Sequence, residues 1–509
     1  MTINKLFKDE IYLSYFFVIF FSFIFFFNIQ NPYESFYVNY DQEFWNTYNS
    51  LLIYSNIEQE KYDEPGHISY LLFSFYLKII DLLNILQVPD INDFNNLDNI
   101  KNKTQSLVFQ SRIFGLLLNT ILTLFIIKIF KKFCAKNLIL LTFILITSNG
   151  FLTHVSQYRV EPLTLLLLII SMFILMSLID SNKYQNLKIF FFNFFIILSI
   201  INKVQIIFYM PLMLLIILHY KKFNFCLIKN IKFLIKNKRD LLYFLISTFL
   251  IISLISIRSE QLHSTAYLVI IYLFFLISFF SLIKINSYKN ISIFFNLTLL
   301  LSFLVIYNLV INFTNGGERT FWVFFKISKI RGYLGDIKLD QSYDTILWIK
   351  EFTLFGIHNL KELLLSIFEI KKNSLIILAV FGLTIASKKF KEHYHLNIFI
   401  ILYLTIKFIT LFRSNAFYYE IYFDWFILLG LVIFLNNFNI KKIYNYTILS
   451  TILILNIYNN FNTKNFQQIN SGSYSKETYC SKEQIYSVNG IWEYYSKKIK
   501  KEQIIYLCK

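Results

Sequence analysis

The chain has 509 residues, 56% of them apolar and 19% aromatic, and a mean hydropathy of +0.53 that excludes a globule with its whole surface in water. The net charge of +18 does not indicate a nucleic-acid partner, because the basic residues sit in short loops between apolar runs and form no single stripe with interleaved aromatics. Four cysteines exclude a disulfide-dense scaffold.

Apolar runs of about 16 to 24 residues can cross a hydrocarbon core about 30 Å thick as helices, since lipid leaves the backbone to satisfy its own hydrogen bonds. The first, residues 11 to 28, is bulky and lacks a small-residue cleavage site, so it reads as a retained span and not as a signal peptide. Residues 29 to 106 form a long loop that opens with Tyr40-Asp41-Gln42-Glu43 and continues through Glu58, Glu60 and Asp63-Glu64-Pro65-Gly66-His67. Apolar residues recur at helical spacing from Phe44 to Ile57. Asp41 and Glu43 therefore stand at a helix N-terminus, where the dipole favours an ionised carboxylate; simple capping of that helix is the alternative role for Asp41. The run from Ile68 to Leu86 carries Lys78 and Asp81 and reads as a helix lying in the interface. Further spans are predicted near residues 107 to 130, 138 to 153, 162 to 179, 188 to 202, 204 to 220, 241 to 257, 267 to 284, 291 to 313, 373 to 387, 396 to 412, 420 to 436 and 445 to 460, about thirteen in all.

Alternate loops differ in basic content. One set holds Lys131, Lys132 and Lys136; Lys183 and Lys188; Lys221 through Arg239; Lys284 and Lys289; Lys388, Lys389 and Lys391; and Lys441 with Lys442. The other set holds the single basic residues Arg159, Lys203, Arg258 and Arg413. Lysine and arginine flanking spans are retained on the cytoplasmic side, so the expectation is a cytoplasmic N-terminus, shared with Lys5 and Lys8, and an extracytoplasmic C-terminus. The fold class expected is an all-α polytopic membrane protein. Residues 1 to 460 form its transmembrane domain and residues 461 to 509 an extracytoplasmic tail. The loop over residues 314 to 372, with Gly316-Gly317-Glu318-Arg319, reads either as a lid over a cavity or as a loop docked on the headgroups. Cys480 and Cys508 both fall in the tail, as a disulfide or as two free thiols.

The polar residues of the predicted outer loops supply the candidate chemistry. Thr153-His154-Val155-Ser156-Gln157-Tyr158-Arg159-Val160-Glu161-Pro162 brings Glu161 to the start of a span, where ionisable residues are functional candidates. Asn202-Lys203 occupies the next outer turn, and Arg413 with Tyr418, Tyr419 and Glu420 another. Cations around an acid-containing vestibule are what holding a phosphate leaving group requires while a carboxylate removes a proton from an acceptor. Snorkelling to the headgroups is the bland alternative for each single Lys or Arg. No glycine-rich phosphate loop, metal-spaced Cys/His set or nucleophile elbow is present, and of seven histidines only His67 adjoins the first acid cluster.

The order of these features resembles the type C glycosyltransferases of membranes, which include the protein O-mannosyltransferases and the aminoarabinose transferase of lipid A. The resemblance rests on one span followed by a long loop with an Asp/Glu pair and a Pro-Gly-His segment, then Ser111-Arg112-Ile113-Phe114-Gly115, Tyr158-Arg159-Val160-Glu161-Pro162 and Asn202-Lys203. It covers roughly residues 10 to 220, with a weaker echo at Arg413 to Glu420. Gln42 separates the two acids, so either Asp41 or Glu43 matches the catalytic acid, and Val204 stands where the family has a glycine after the lysine. The resemblance implies inverting transfer of a sugar from a polyprenyl-phosphate donor to a lipid, glycan or protein acceptor, at the outer face of a bacterial inner (plasma) membrane. By analogy Asp41 is the general base, Glu43 its neighbour or substitute, and Glu161 a second acid that orients acceptor or metal. Lys203, Arg159 and Arg413 would bind the donor phosphate, with His67, Tyr158, Tyr418 and Tyr419 lining the vestibule. Arg112 would pack or position; a divalent metal is a possible cofactor; membrane lipids, and no nucleic acid, are the other partners. A transporter or flippase, or a polymerase of lipid-linked glycans, is the competing class; no internal repeat supports a carrier.

Overall fold

The computed structural model describes residues 9–29, 43, 45–57, 66–85, 87–88, 100–133, 137–155, 157–181, 183–220, 231–232, 235–258, 269, 272–273, 276–277, 279, 291–314, 394–410, 420–437 and 442–461. Among them every regular element is a helix. In chain order these are α1 (Glu10–Ile24, continued by a π turn over Phe25–Ile29), α2 (Trp45–Tyr54), α3 (His67–Leu82), α4 (Ile100–Lys132), α5 (Leu138–Ile146), α6 (Asn149–His154), α7 (Val160–Asp180) and α8 (Gln185–Asn202). A 3-10 turn over Val204–Tyr209 leads into α9 (Met210–Tyr220), followed by α10 (Lys238–Arg258), α11 (Ile291–Thr314), α12 (Tyr394–Thr410), α13 (Glu420–Asn437) and α14 (Lys442–Phe461). Among the described residues four helices are long and apolar enough to cross a membrane: Glu10–Asn28, Gln105–Lys132, Val160–Asp180 and Gln185–Asn202. Shorter apolar helices lie within α9 to α14. This fits a multi-pass membrane protein and bears out the all-helical expectation. The predicted span at 373 to 387, and nearly all of the 314–372 loop and the 461–509 tail, lie outside the described residues.

Polar contacts define two ends of the bundle. At one, Lys131 pairs with Asp9 (3.8 Å) and Lys132 with Asp180 (3.2 Å). There the Lys188 ammonium also donates to the carbonyls of Ser177 and Ser181, which close α7 (both 2.9 Å), a favourable place for a cation because the last carbonyls of a helix carry partial negative charge. The Asn436 amide donates to the Phe133 carbonyl at the same end (2.8 Å). The starts of α1 and α8 and the ends of α4, α7 and α13 therefore meet there. At the opposite end lie the start of α7 and the end of α8, joined by the Lys203–Glu161 pair.

Two local features shape that second end. The predicted span over 138 to 153 is two helices, α5 and α6. The break falls at Thr147-Ser148, where polar side chains compete with the helical ladder. The Thr147 hydroxyl donates back to the Phe143 carbonyl (2.7 Å), Ser148 caps α6 by accepting from the Phe151 N–H (3.4 Å), and the Asn460 amide donates to the Thr147 carbonyl (2.7 Å). Helix α3 packs Tyr70, Phe73, Leu77 and Ile80 inward while Leu72, Phe75, Ile79 and Leu82 are exposed. It contacts residues of the site end: Ser69 bonds to Asn202 and accepts from Tyr158, and the Tyr76 hydroxyl donates to Gln110 (3.0 Å). One face of α3 is therefore buried and the other exposed, the pattern of an amphipathic helix.

Two glycines permit close approaches at this end. A Cβ on Gly115 of α4 would fall 2.4 Å from the Gln157 carbonyl oxygen, and one on Gly150 of α6 would fall 2.5 Å from the backbone of Ile421 in α13. The segment 157–159 thus lies against α4, and α6 against the first turn of α13.

Candidate functional site

Glu43 stands just before α2 and is buried. Arg112, also buried and in the N-terminal half of α4, meets its carboxylate side-on: Nε lies 3.2 and 3.3 Å from the two oxygens and Nη2 3.1 Å from Oε2. The Tyr158 N–H donates to Oε1 of the same carboxylate (3.3 Å), and the Asn46 amide donates to the Tyr158 carbonyl (3.2 Å). The first turn of α2 therefore grips the strand-like segment before α7. Burial pushes the Glu43 carboxyl up from the usual carboxylate range, and the Arg112 guanidinium opposes that rise.

Tyr158 is fully buried, its hydroxyl donating to the Ser69 carbonyl (2.7 Å) and its ring packed on Phe73 (4.8 Å) and Phe114 (5.4 Å). Burial raises the phenol well above its ordinary value, so it acts as a neutral donor. Glu161 follows in the first turn of α7, where the exposed N–H groups of a helix start favour a carboxylate. Its Oε2 accepts from Arg159 Nε (3.4 Å) and its Oε1 pairs with the Lys203 ammonium. All three side chains are buried. Asn202, the last residue of α8, fixes this geometry: its Oδ1 accepts from the Ser69 N–H (3.0 Å) and hydroxyl (3.1 Å), while its Nδ2 donates to the Val160 carbonyl (3.1 Å) and the Thr164 hydroxyl (2.8 Å). One amide side chain thus ties α3, α7 and α8 beside the ionic cluster.

His154, at the end of α6, is fully buried, with Nδ1 2.8 Å from the Gly150 carbonyl oxygen. Burial lowers its pKa to about 4, against the opposing pull of Glu161, and the charges of Arg159 and Lys203 add to the lowering. His67 is buried at the start of α3, edge-on to Tyr70 (5.9 Å). The preceding Gly66 has φ of 128° and no room for a Cβ, which would fall 2.5 Å from Val160 Cγ1. Gly66 is thereby packed against Val160, the residue that precedes Glu161.

Of the residues singled out in the sequence, the structure brings Glu43, Tyr158, Arg159, Glu161 and Lys203 into one buried network, with His67 at its edge. Asp41, Arg413, Tyr418 and Tyr419 lie outside the described residues. Arg112, expected to pack or position, is the partner of Glu43. His154 and Asp424 belong to the same end of the bundle and were not anticipated. His154 sits in the quoted Thr153-to-Pro162 string, but nothing in the string distinguishes it. Asp424, a lone acid in an apolar run, accepts from the Gly150 N–H (2.7 Å), a contact across 274 residues that no local pattern encodes. Among the described residues no group of three or more His, Cys, Asp and Glu could hold a metal ion.

The fold and site define an all-helical chain with several helices of membrane-crossing length and a buried ionic cluster at one end of the bundle. Comparison with protein-family models, with curated proteins and with solved structures finds no match to it.

Proposed function

We propose that the chain is a membrane glycosyltransferase that moves a sugar from a polyprenyl-phosphate donor to an acceptor hydroxyl, with inversion at the anomeric carbon. The observation that carries this reading is the Glu161 carboxylate held between Arg159 and Lys203 in a buried setting. Burying ionised groups costs several kcal/mol each, about as much as good pairing returns, so a concentration of them at the mouth of an apolar bundle is more economically explained by function than by stability.

Lys203 and Arg159, with Arg413, hold the donor phosphate, and Glu161 fixes the first two in place. Asp41 takes the proton from the acceptor hydroxyl, whose oxygen attacks the anomeric carbon. The bond from that carbon to the phosphate oxygen breaks, and its electron pair leaves on the phosphate, where the cations stabilise it. Glu43, engaged by Arg112 and the Tyr158 N–H, positions the segment that carries Arg159 and Glu161. The site would open outside a bacterial plasma membrane, with the N-terminus in the cytoplasm.

A transporter or flippase of lipid-linked glycans is the alternative. The clustering of charge at one end of the bundle, where carriers bind near the midplane, favours transfer. The test uses Asp41→Asn and Glu161→Gln in membranes supplied with labelled polyprenyl-phosphate sugar: loss of glycan transfer in both is expected, and full transfer in both would overturn the assignment.

A further inference from the structure

His154 is held from behind in a way the reaction scheme does not use. A carbonyl oxygen can only accept, so the 2.8 Å contact with Gly150 assigns the proton of the neutral ring to Nδ1 and leaves the lone pair on Nε2. The Gly150 peptide is itself fixed. Its N–H is donated to Asp424 Oδ2 (2.7 Å), and its α-carbon lies so close to Ile421 that a Cβ would fall 2.5 Å from that backbone. Helix α13 thus positions the peptide that positions the ring. The other ring nitrogen is different: Nε2 is buried and, among the described residues, makes no hydrogen bond. Leaving a buried acceptor unpaired is costly, and a rigid mount behind it gives that cost a purpose when a ligand donor completes the bond.

The charges around the ring say what kind of donor. Glu161 on α7 attracts an imidazolium, but burial and the two cations Arg159 and Lys203 outweigh it; Asp424 on α13 accepts from the Gly150 peptide on which the ring rests. The ring stays neutral, so it is a poor proton acceptor for catalysis near neutral pH and a sound hydrogen-bond acceptor for a hydroxyl. In the glycosyltransferase reading, on which this step rests, Arg159 and Lys203 hold the donor phosphate. The group next to a bound phosphate is the sugar attached to it, and its hydroxyls are donors.

We propose that His154 Nε2 accepts a hydrogen bond from a hydroxyl of the phosphate-linked sugar and so selects the sugar-bearing lipid over the bare polyprenyl phosphate. Gly150 and Asp424 are positioning residues for that contact. No bond is made or broken at His154.

The test measures binding of polyprenyl phosphate and of a panel of polyprenyl-phosphate hexoses and pentoses to the full-length protein in lipid nanodiscs. Wild type should prefer at least one sugar-bearing lipid. His154→Asn retains a polar group near Nδ1 but falls short of the Nε2 position, and should reduce that preference about tenfold. His154→Gln, whose amide oxygen reaches the Nε2 position, should keep most of it. Affinity for bare polyprenyl phosphate should stay within a factor of two in both. An unchanged preference in His154→Asn, or equal loss in the Gln and Asn variants, overturns the sugar contact while leaving the glycosyltransferase reading intact. Wild type that binds neither lipid class overturns both.

Discussion

Replacing Arg112 by Leu removes three N–H···O contacts of 3.1 to 3.3 Å and leaves the Glu43 carboxylate buried with the Tyr158 N–H as its remaining contact among those described above. Removing one partner of a buried ion pair costs about 3–5 kcal/mol, because the survivor keeps its desolvation penalty without compensation. The burial that already raises the Glu43 carboxyl then meets weaker opposition, from the Tyr158 N–H and the Arg159 charge alone. A carboxyl whose folded pKa lies above its unfolded value of about 4.3 contributes stability below that value and loses it as pH rises towards the folded pKa. The deficit of Arg112→Leu should therefore be small near pH 4 and grow towards neutrality. Adding Glu43→Leu to the variant removes the stranded charge and should recover more than half of the loss at pH 7. The assay is reversible denaturant unfolding of purified protein in mixed micelles at pH 4, 5.5 and 7 for wild type, both single variants and the double. A loss below about 1 kcal/mol for Arg112→Leu at pH 7, or single-variant losses that simply add in the double, would refute the claim that these groups form a coupled buried pair.

Histidine 154 predicts the opposite slope. Its pKa is lowered from about 6.5 to about 4 in the folded chain, so its contribution is full above pH 6.5 and is lost as pH falls, of order 3 kcal/mol across that interval; in His154→Gln this part of the acid sensitivity should vanish from the same unfolding series. Gly115→Ala places a Cβ 2.4 Å from the Gln157 carbonyl. Overpacking of that kind costs about 1–3 kcal/mol, and because the displaced segment carries Arg159 and Glu161, donor binding should weaken along with the measured midpoint. Asn202→Ala strips four hydrogen bonds from α3, α7 and α8, each buried group left unpaired costing about 1–3 kcal/mol; proteolytic release of α3 should accelerate, whereas Asn202→Asp, which keeps Oδ1, should retain the Ser69 contacts.

The helical class and the longest apolar helices were legible in the chain alone. Apolar runs bounded by charge gave the long helices α1, α4, α7 and α8, because a hydrocarbon solvent leaves a helix as the backbone's best solution. The alternation of basic loops likewise grouped Lys131, Lys132 and Lys188 apart from Arg159 and Lys203, and salt bridges and carbonyl contacts gather the first group at one end. The run that forms α3 was also set apart from the long spans, by Lys78 and Asp81 within it. Which residues pair was not legible there, because the partners come from distant segments. Arg112 and Glu43 lie 69 residues apart, Lys203 and Glu161 42, and Gly150 and Asp424 274. The same is true of the break between α5 and α6. Beside the local bonds of Thr147 and Ser148, Asn460 and Asp424 claim the Thr147 carbonyl and the Gly150 N–H from distant helices, which no local pattern encodes. Periodicity reports which face a residue turns inward, whereas the partner that waits there is set by how distant helices pack.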